Sequence, residues 1–74
     1  MNDEELKLRG EKILSTMKRI TGKANPNQIA GDIGVTDWAI HKWIRQGYVP
    51  MRRVLKLELK YKGKFERSEL NHEF

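Results

Sequence analysis

Residues 29–43, IAGDIGVTDWAIHKW, constrain this chain more than any other stretch, because their apolar spacing fits two short helices joined by a tight turn. Ile29 and Ile33 lie four apart and therefore share one helical face. Ala30 on that face leaves room for a second helix to approach closely. Gly34 can take the positive φ that ends a helix, a conformation closed to most side chains. Ile40 and Trp43 then form an i, i+3 pair facing back toward the first helix. Asp37, Trp38, His41, Lys42 and Arg45 remain on the outward side of the second helix, where a ligand would meet them.

The flanking residues extend this pattern into a helical domain. Asn2 or Asp3 can cap a first helix, and Glu4 and Glu5 suit the positive end of its dipole. Leu6, Gly10, Ile13, Met17 and Ile20 form a stripe at helical spacing, widened by Leu14, and the helix ends near Thr21 and Gly22. Gly10 either weakens this helix by roughly 1 kcal/mol relative to Ala or marks a close helix crossing. Leu8 falls off the stripe and is expected to be exposed. Asn25-Pro26-Asn27-Gln28 is a strong helix start: Asn25 caps, Pro26 suits the first helical position, and Gln28 stands where a capping box requires it. Helix 2 is predicted from Pro26 to about Ile33, and the turn at Gly34-Val35 buries Val35 between the helices. Thr36 caps helix 3, which runs to Arg45 or Gln46 and stops at Gly47.

The next stretch reads two ways. From Val54 to Glu66 apolar and polar residues alternate almost without fault, a strand signature that would make a hairpin about Gly63 over residues 54–67. As a helix from Met51 to about Tyr61, the same residues spread their apolar groups over an arc of roughly 200°. That arc includes Glu58, which needs a partner if buried; a basic group on helix 3 is one candidate. Leu, Lys, Glu and Arg favour the helix, and Val54, Tyr61 and Phe65 the strand. Leu57, Leu59, Tyr61 and Phe65 are candidates either for the core or for a dimer surface. The tail from Glu66 is expected to hold at most one short turn and to be otherwise loose.

Seventy-four residues make one small domain, spanning 1–74, near the size at which a single core is only marginally stable alone. With no cysteine, a disulfide framework and a thiolate metal site are both excluded, and His41 and His72 are too far apart in sequence to suggest a metal pair. Neither a signal peptide nor a membrane span is expected, and a cytoplasmic protein fits best. No nucleophile stands with a base and an orienting acid at recognisable spacing, and no glycine-rich phosphate loop is present, so an enzyme is the weakest reading. No cofactor, metal or small-molecule ligand is expected. The net charge of +5 is uneven: residues 23–64 carry nine basic and three acidic groups, a local excess of +6, while residues 65–74 carry one and three. A polyanion suits that distribution, because each phosphate neutralised by Lys or Arg releases counterions. The alternative is a solvated basic surface that keeps a small protein soluble.

Ala30, Gly34, Val35 and Ile40, framed by Ile29, Ile33 and Trp43, resemble the helix-turn-helix of phage repressors, and Asp32-x-Gly34-Val35 and Ala39-Ile40-x-Lys42 are similar to the Cro-like family among them. The run Val49-Pro-x-x-Arg53-Val-Leu-x-Leu-Glu58, then Gly63-Lys64 and Arg67-x-Glu69-Leu70, is similar to small Cro-like and antitoxin-like regulators of bacterial prophages. Together these stretches cover residues 26–74. Cro-like proteins end in either helices or a hairpin; those with a Val-Pro-x-x-Arg-Val-Leu run resemble an all-helical form. The resemblance therefore implies an all-α domain of four to five helices, with the helix-turn-helix at 26–46 and a fourth helix in place of the hairpin. Pro26 and Trp38 depart from the usual pattern.

The resemblance further implies a regulator of transcription in a bacterial host cell, binding palindromic double-stranded operator DNA as a homodimer. Helix 3 would enter the major groove while helix 2 crosses the backbone. His41 and Lys42 are then best placed for bases, Lys42 donating to guanine O6 or N7, and Asp37 either accepts from cytosine N4 or only stabilises the first turn. The Trp38 indole either meets a thymine methyl or sugar edge, or is buried against helix 4 or a partner subunit. Asn27, Gln28 and Thr36 can hold phosphates at helix starts, although Gln28 is also claimed by its own cap. Arg45, Arg52, Arg53 and Lys56 are candidate phosphate clamps, each with a solvated surface charge as its alternative. Two further readings compete: an excisionase-like or antitoxin-like protein, because residues 43–50 also resemble a recognition helix leading into a wing, and a protein-interaction module anchored by Trp38.

Overall fold

The computed structural model describes residues 2–73, and among these the regular structure is entirely helical. Four α-helices, α1 (Asp3–Thr21), α2 (Pro26–Ile33), α3 (Asp37–Gln46) and α4 (Met51–Lys60), are followed by a single 3₁₀ turn at Arg67–Glu69. The hairpin alternative for residues 54–67 is not formed. The radius of gyration, 11.2 Å, is what a compact chain of this length gives, about 11 Å.

The first three helices begin at side-chain caps. Asn2 Oδ1 accepts from Glu5 N at 2.7 Å, Asn25 Oδ1 from Gln28 N at 3.0 Å and Thr36 Oγ1 from Ala39 N at 3.2 Å. Each satisfies a backbone donor that the helix itself leaves unpaired. Between α2 and α3 the Ala30 carbonyl accepts from both Gly34 N and Val35 N, at 2.8 and 3.0 Å, while Gly34 sits at φ 90°. Only glycine holds that conformation cheaply, so the chain reverses here within three residues.

The core forms where α1, α2 and α3 meet. Ile13, Met17, Ile20, Ile29, Ala30, Ile40 and Trp43 are all buried, and Val49, Val54, Leu57, Tyr61 and Leu70 complete it from the C-terminal side. Gly10 marks a close crossing: a β-carbon there would lie 2.4 Å from the Ile44 carbonyl oxygen. Helix α4 buries Val54 and Leu57, its C-terminal cap residue Tyr61 continues the same buried face, and Met51, Leu55 and Leu59 are left exposed. Of the four residues at the candidate dimer surface, Leu57 and Tyr61 therefore belong to the core, Phe65 packs against it, and only Leu59 faces solvent. Val35 is half-buried, and Leu8 is exposed as its position off the stripe requires.

Two expectations are corrected. The tail from Glu66 is not loose over its described residues, 66–73, Phe74 lying outside them: Leu70 is fully buried, its carbonyl accepts from Val49 N at 2.8 Å, and the buried Asn71 side chain donates to Val49 O at 2.9 Å. Glu58 pairs with Arg67 of the 3₁₀ turn rather than with α3, both Nε and Nη2 lying 2.7 Å from its carboxylate oxygens. The cause is the same in both cases. The turn folds back under α4, bringing residues nine to twenty-two positions apart into contact. Tyr61 and Lys60 also tie α4 to the end of α2, the Tyr61 hydroxyl donating to the Asp32 carboxylate and the Lys60 ammonium to the Asp32 carbonyl.

Candidate functional site

The outward face of α3 follows directly from its inward one. Ile40 and Trp43 are buried against α1 and α2, which fixes the rotation of the helix. Trp38, His41, Lys42 and Arg45, spaced three, four and seven apart from Trp38, must then share the opposite side. All four are exposed, and together they line a shallow concavity of about 270 Å³. The strip they form spans about 10 Å along the helix axis at 1.5 Å per residue.

Trp38 is the least ordinary member. It is 68% exposed, so it is not packed against α4. The Lys42 ammonium lies 5.1 Å from the centre of its ring, within cation–π range. His41 lies one turn from Asp37, with Nε2 3.4 Å from Oδ1, and the pair is charged on both sides only when the imidazole is protonated. Asp37 therefore does two local jobs: it complements the α3 dipole and restrains His41. Trp43, by contrast, is 5% exposed and belongs to the core.

Apart from Arg45, in the last turn of α3, and Lys56, the predicted phosphate ligands are distributed over the first turns of α2, α3 and α4 and their caps. Thr36 uses its hydroxyl oxygen as the α3 cap and retains the hydroxyl proton as a donor. Asn27 is exposed in the first turn of α2. The capping box expected of Gln28 is not closed on the cap residue Asn25: Gln28 Oε1 accepts instead from Ala24 N, one residue earlier, at 3.4 Å, which still leaves the amide NH₂ able to donate. Arg52 and Arg53 are exposed at the start of α4, where Pro50 supplies no side-chain cap. Lys56 is exposed one turn further on.

Among the described residues no cluster of His, Asp or Glu could hold a metal ion, and no helix is long and apolar enough to cross a membrane. The sequence reading missed the Asp32 anchor for Tyr61 and Lys60. Its only sequence signal is the acid near the end of α2, and nothing local pairs that acid with residues nearly thirty positions away. Burial is the main cause that pushes the Tyr61 phenol well above its ordinary value of 10, and the neighbouring Asp32 carboxylate adds to it through hydrogen bond and charge.

Comparison with protein-family models, curated proteins and solved structures finds no match to this chain. The geometry of its own residues must therefore carry the functional reading.

Proposed function

We propose that this chain is a sequence-specific double-stranded DNA-binding regulator of transcription, of the Cro-type phage or prophage class, with α2, the Gly34 turn and α3 acting as a helix-turn-helix. One observation carries the reading. The face of α3 opposite its buried Ile40 and Trp43 presents Trp38, His41, Lys42 and Arg45 as one continuous exposed strip, on a helix narrow enough for the major groove, about 12 Å wide. The local charge excess of +6 over residues 23–64 supports the same partner.

In this reading His41 and Lys42 meet base edges, and Asp37 chiefly orients His41. Asn27, Gln28, Thr36, Arg45, Arg52 and Arg53 hold phosphates. A symmetric pair of copies would read a palindrome with half-sites roughly 34 Å apart. Met51, Leu55 and Leu59, four apart on the outer side of α4, offer the apolar surface that such a pairing needs. An excisionase-like protein is less favoured, because the segment after α3 enters the helix α4 and not a wing. The protein-interaction alternative uses the exposed Trp38 as an anchor but leaves the basic excess without a role.

Gel shifts of the full chain on its own promoter region, run across a salt series, test the proposal. Tight binding is expected, with log K falling linearly as log salt rises. Binding that ignores both sequence and salt, or a protein partner whose binding survives replacement of Lys42 and Arg45 by Ala, would overturn it.

A further inference from the structure

The one large apolar group in the exposed α3 strip is Trp38, and its surroundings narrow what it can do. Its first-turn position puts it at the leading end of the helix, its ring is mostly solvent-exposed, and one region of that ring is held by the Lys42 ammonium 5.1 Å from the centroid. An indole has a single N–H donor and no acceptor, so it cannot read a base edge with paired hydrogen bonds as Arg or Asn does. Among the groups that a duplex presents in its major groove, the one that rewards an apolar surface is the thymine C5 methyl. Lys42, four residues on and over the same ring, is a donor without acceptors, which suits guanine O6 or N7.

Resting on the DNA-binding reading above, we infer that Trp38 and Lys42 form a two-part reader of a thymine beside a guanine: the indole covers the thymine methyl, and the ammonium swings from the ring to the guanine of a neighbouring pair. In the free protein the cation–π contact keeps both groups extended from α3 and close to their working positions, which limits the ordering required on binding. His41, restrained by Asp37, and Arg45 flank the pair along the same strip.

A second use of an exposed Trp among basic residues is as a stacking platform for single-stranded nucleic acid. The arrangement favours the duplex. Stacking proteins line a groove with successive aromatics, whereas this strip holds one ring among members that are otherwise polar.

Thymine-to-deoxyuridine substitution, one position at a time, in a duplex chosen from random DNA by the full-length protein, isolates the methyl while preserving every Watson–Crick bond. At one thymine per half-site the wild type is expected to lose affinity about fourfold per methyl removed. Trp38→Ala is expected to bind the parent duplex more weakly and to be indifferent to uridine at that position. In the neighbouring pair, 7-deazaguanine should weaken the wild type and leave Lys42→Ala unchanged. Because Trp38 is exposed, far-UV circular dichroism and melting of Trp38→Ala should match the wild type. Salt-dependent duplex binding with no uridine-sensitive thymine overturns the two-part reader while leaving DNA binding intact. Tighter binding of single strands that depends on Trp38 overturns it in favour of stacking, and failure to bind any duplex overturns the underlying DNA-binding reading as well.

Discussion

Gly10 of α1 faces Ile44 of α3 so closely that an added β-carbon would stand 2.4 Å from the Ile44 carbonyl oxygen and 3.0 Å from its Cγ2. The first obstacle is backbone and cannot rotate aside. Two effects oppose one another in Gly10→Ala. Helix propensity alone would stabilise α1 by about 1 kcal/mol, but relieving the clash must shift α1 against α3, an overpacking strain of about 1–3 kcal/mol. The strain is expected to win. The variant should melt at least a few degrees below wild type by circular dichroism, and a raised melting temperature would show that the crossing is looser than this geometry.

Acid should loosen the C-terminal segment first. Glu69 is lowered from its ordinary 4.5, because it accepts from the Glu66 backbone N–H and then from Arg19 and Thr16. Glu58 is also lowered, by its hydrogen bonds to Arg67. A carboxylate whose folded value is depressed contributes stability that is fully present above the unfolded value near 4.5 and is lost as pH falls through the folded value. The melting temperature should therefore be flat near neutrality and decline below about pH 4.5. Glu69→Gln should melt lower than wild type at pH 7 and show a shallower decline in acid. Glu58→Gln should do the same more weakly, since that pair is solvent-screened.

How much of this molecule is legible in the sequence depends on the reach of the signal. Caps act within three or four residues, so Asn2, Asn25 and Thr36 announce three helix starts, and the observed bounds of α1, α2 and α3 follow them. The alternation after Val54 satisfies both a strand and a helix. It becomes helical with Val54, Leu57 and Tyr61 inward, at the expense of leaving Leu55 and Leu59 in water. Nothing local marks Leu70 as core, because its burial depends on Val49 and on a turn anchored through Glu69 to Arg19. The outward strip of α3 was visible from spacing alone. The exposure of Trp38 was not, since it depends on where α4 lies.

Phosphate clamps and base readers should fail in different ways. Arg52 and Arg53 are exposed charges at the start of α4. If they neutralise phosphates, Arg52→Ala and Arg53→Ala each reduce the slope of log K against log salt by about 0.9 and weaken all duplexes alike. His41→Ala and Lys42→Ala instead erode the preference for the selected sequence, by about 1–3 kcal/mol if the lost contact is a good base pair of hydrogen bonds. Competition gel shifts with specific and scrambled duplexes separate the two patterns. Identical behaviour of all four variants would mean that α3 provides charge without reading sequence.

The two tryptophans provide an optical test of the orientation of α3. Trp43 is 5% exposed and Trp38 68% exposed, although they lie five residues apart on one helix. Rotation of α3 by half a turn would exchange their environments. In the arrangement described, Trp38→Phe should leave a blue-shifted emission that acrylamide quenches poorly. Trp43→Phe, if folded by circular dichroism, should leave a red-shifted emission that is quenched readily. If duplex DNA binds the outer face of α3 as proposed, its addition should protect the Trp38 emission and leave that of Trp43 nearly unchanged. Protection of Trp43 alone would place the binding surface elsewhere and remove the strip formed by Trp38, His41, Lys42 and Arg45 from the site.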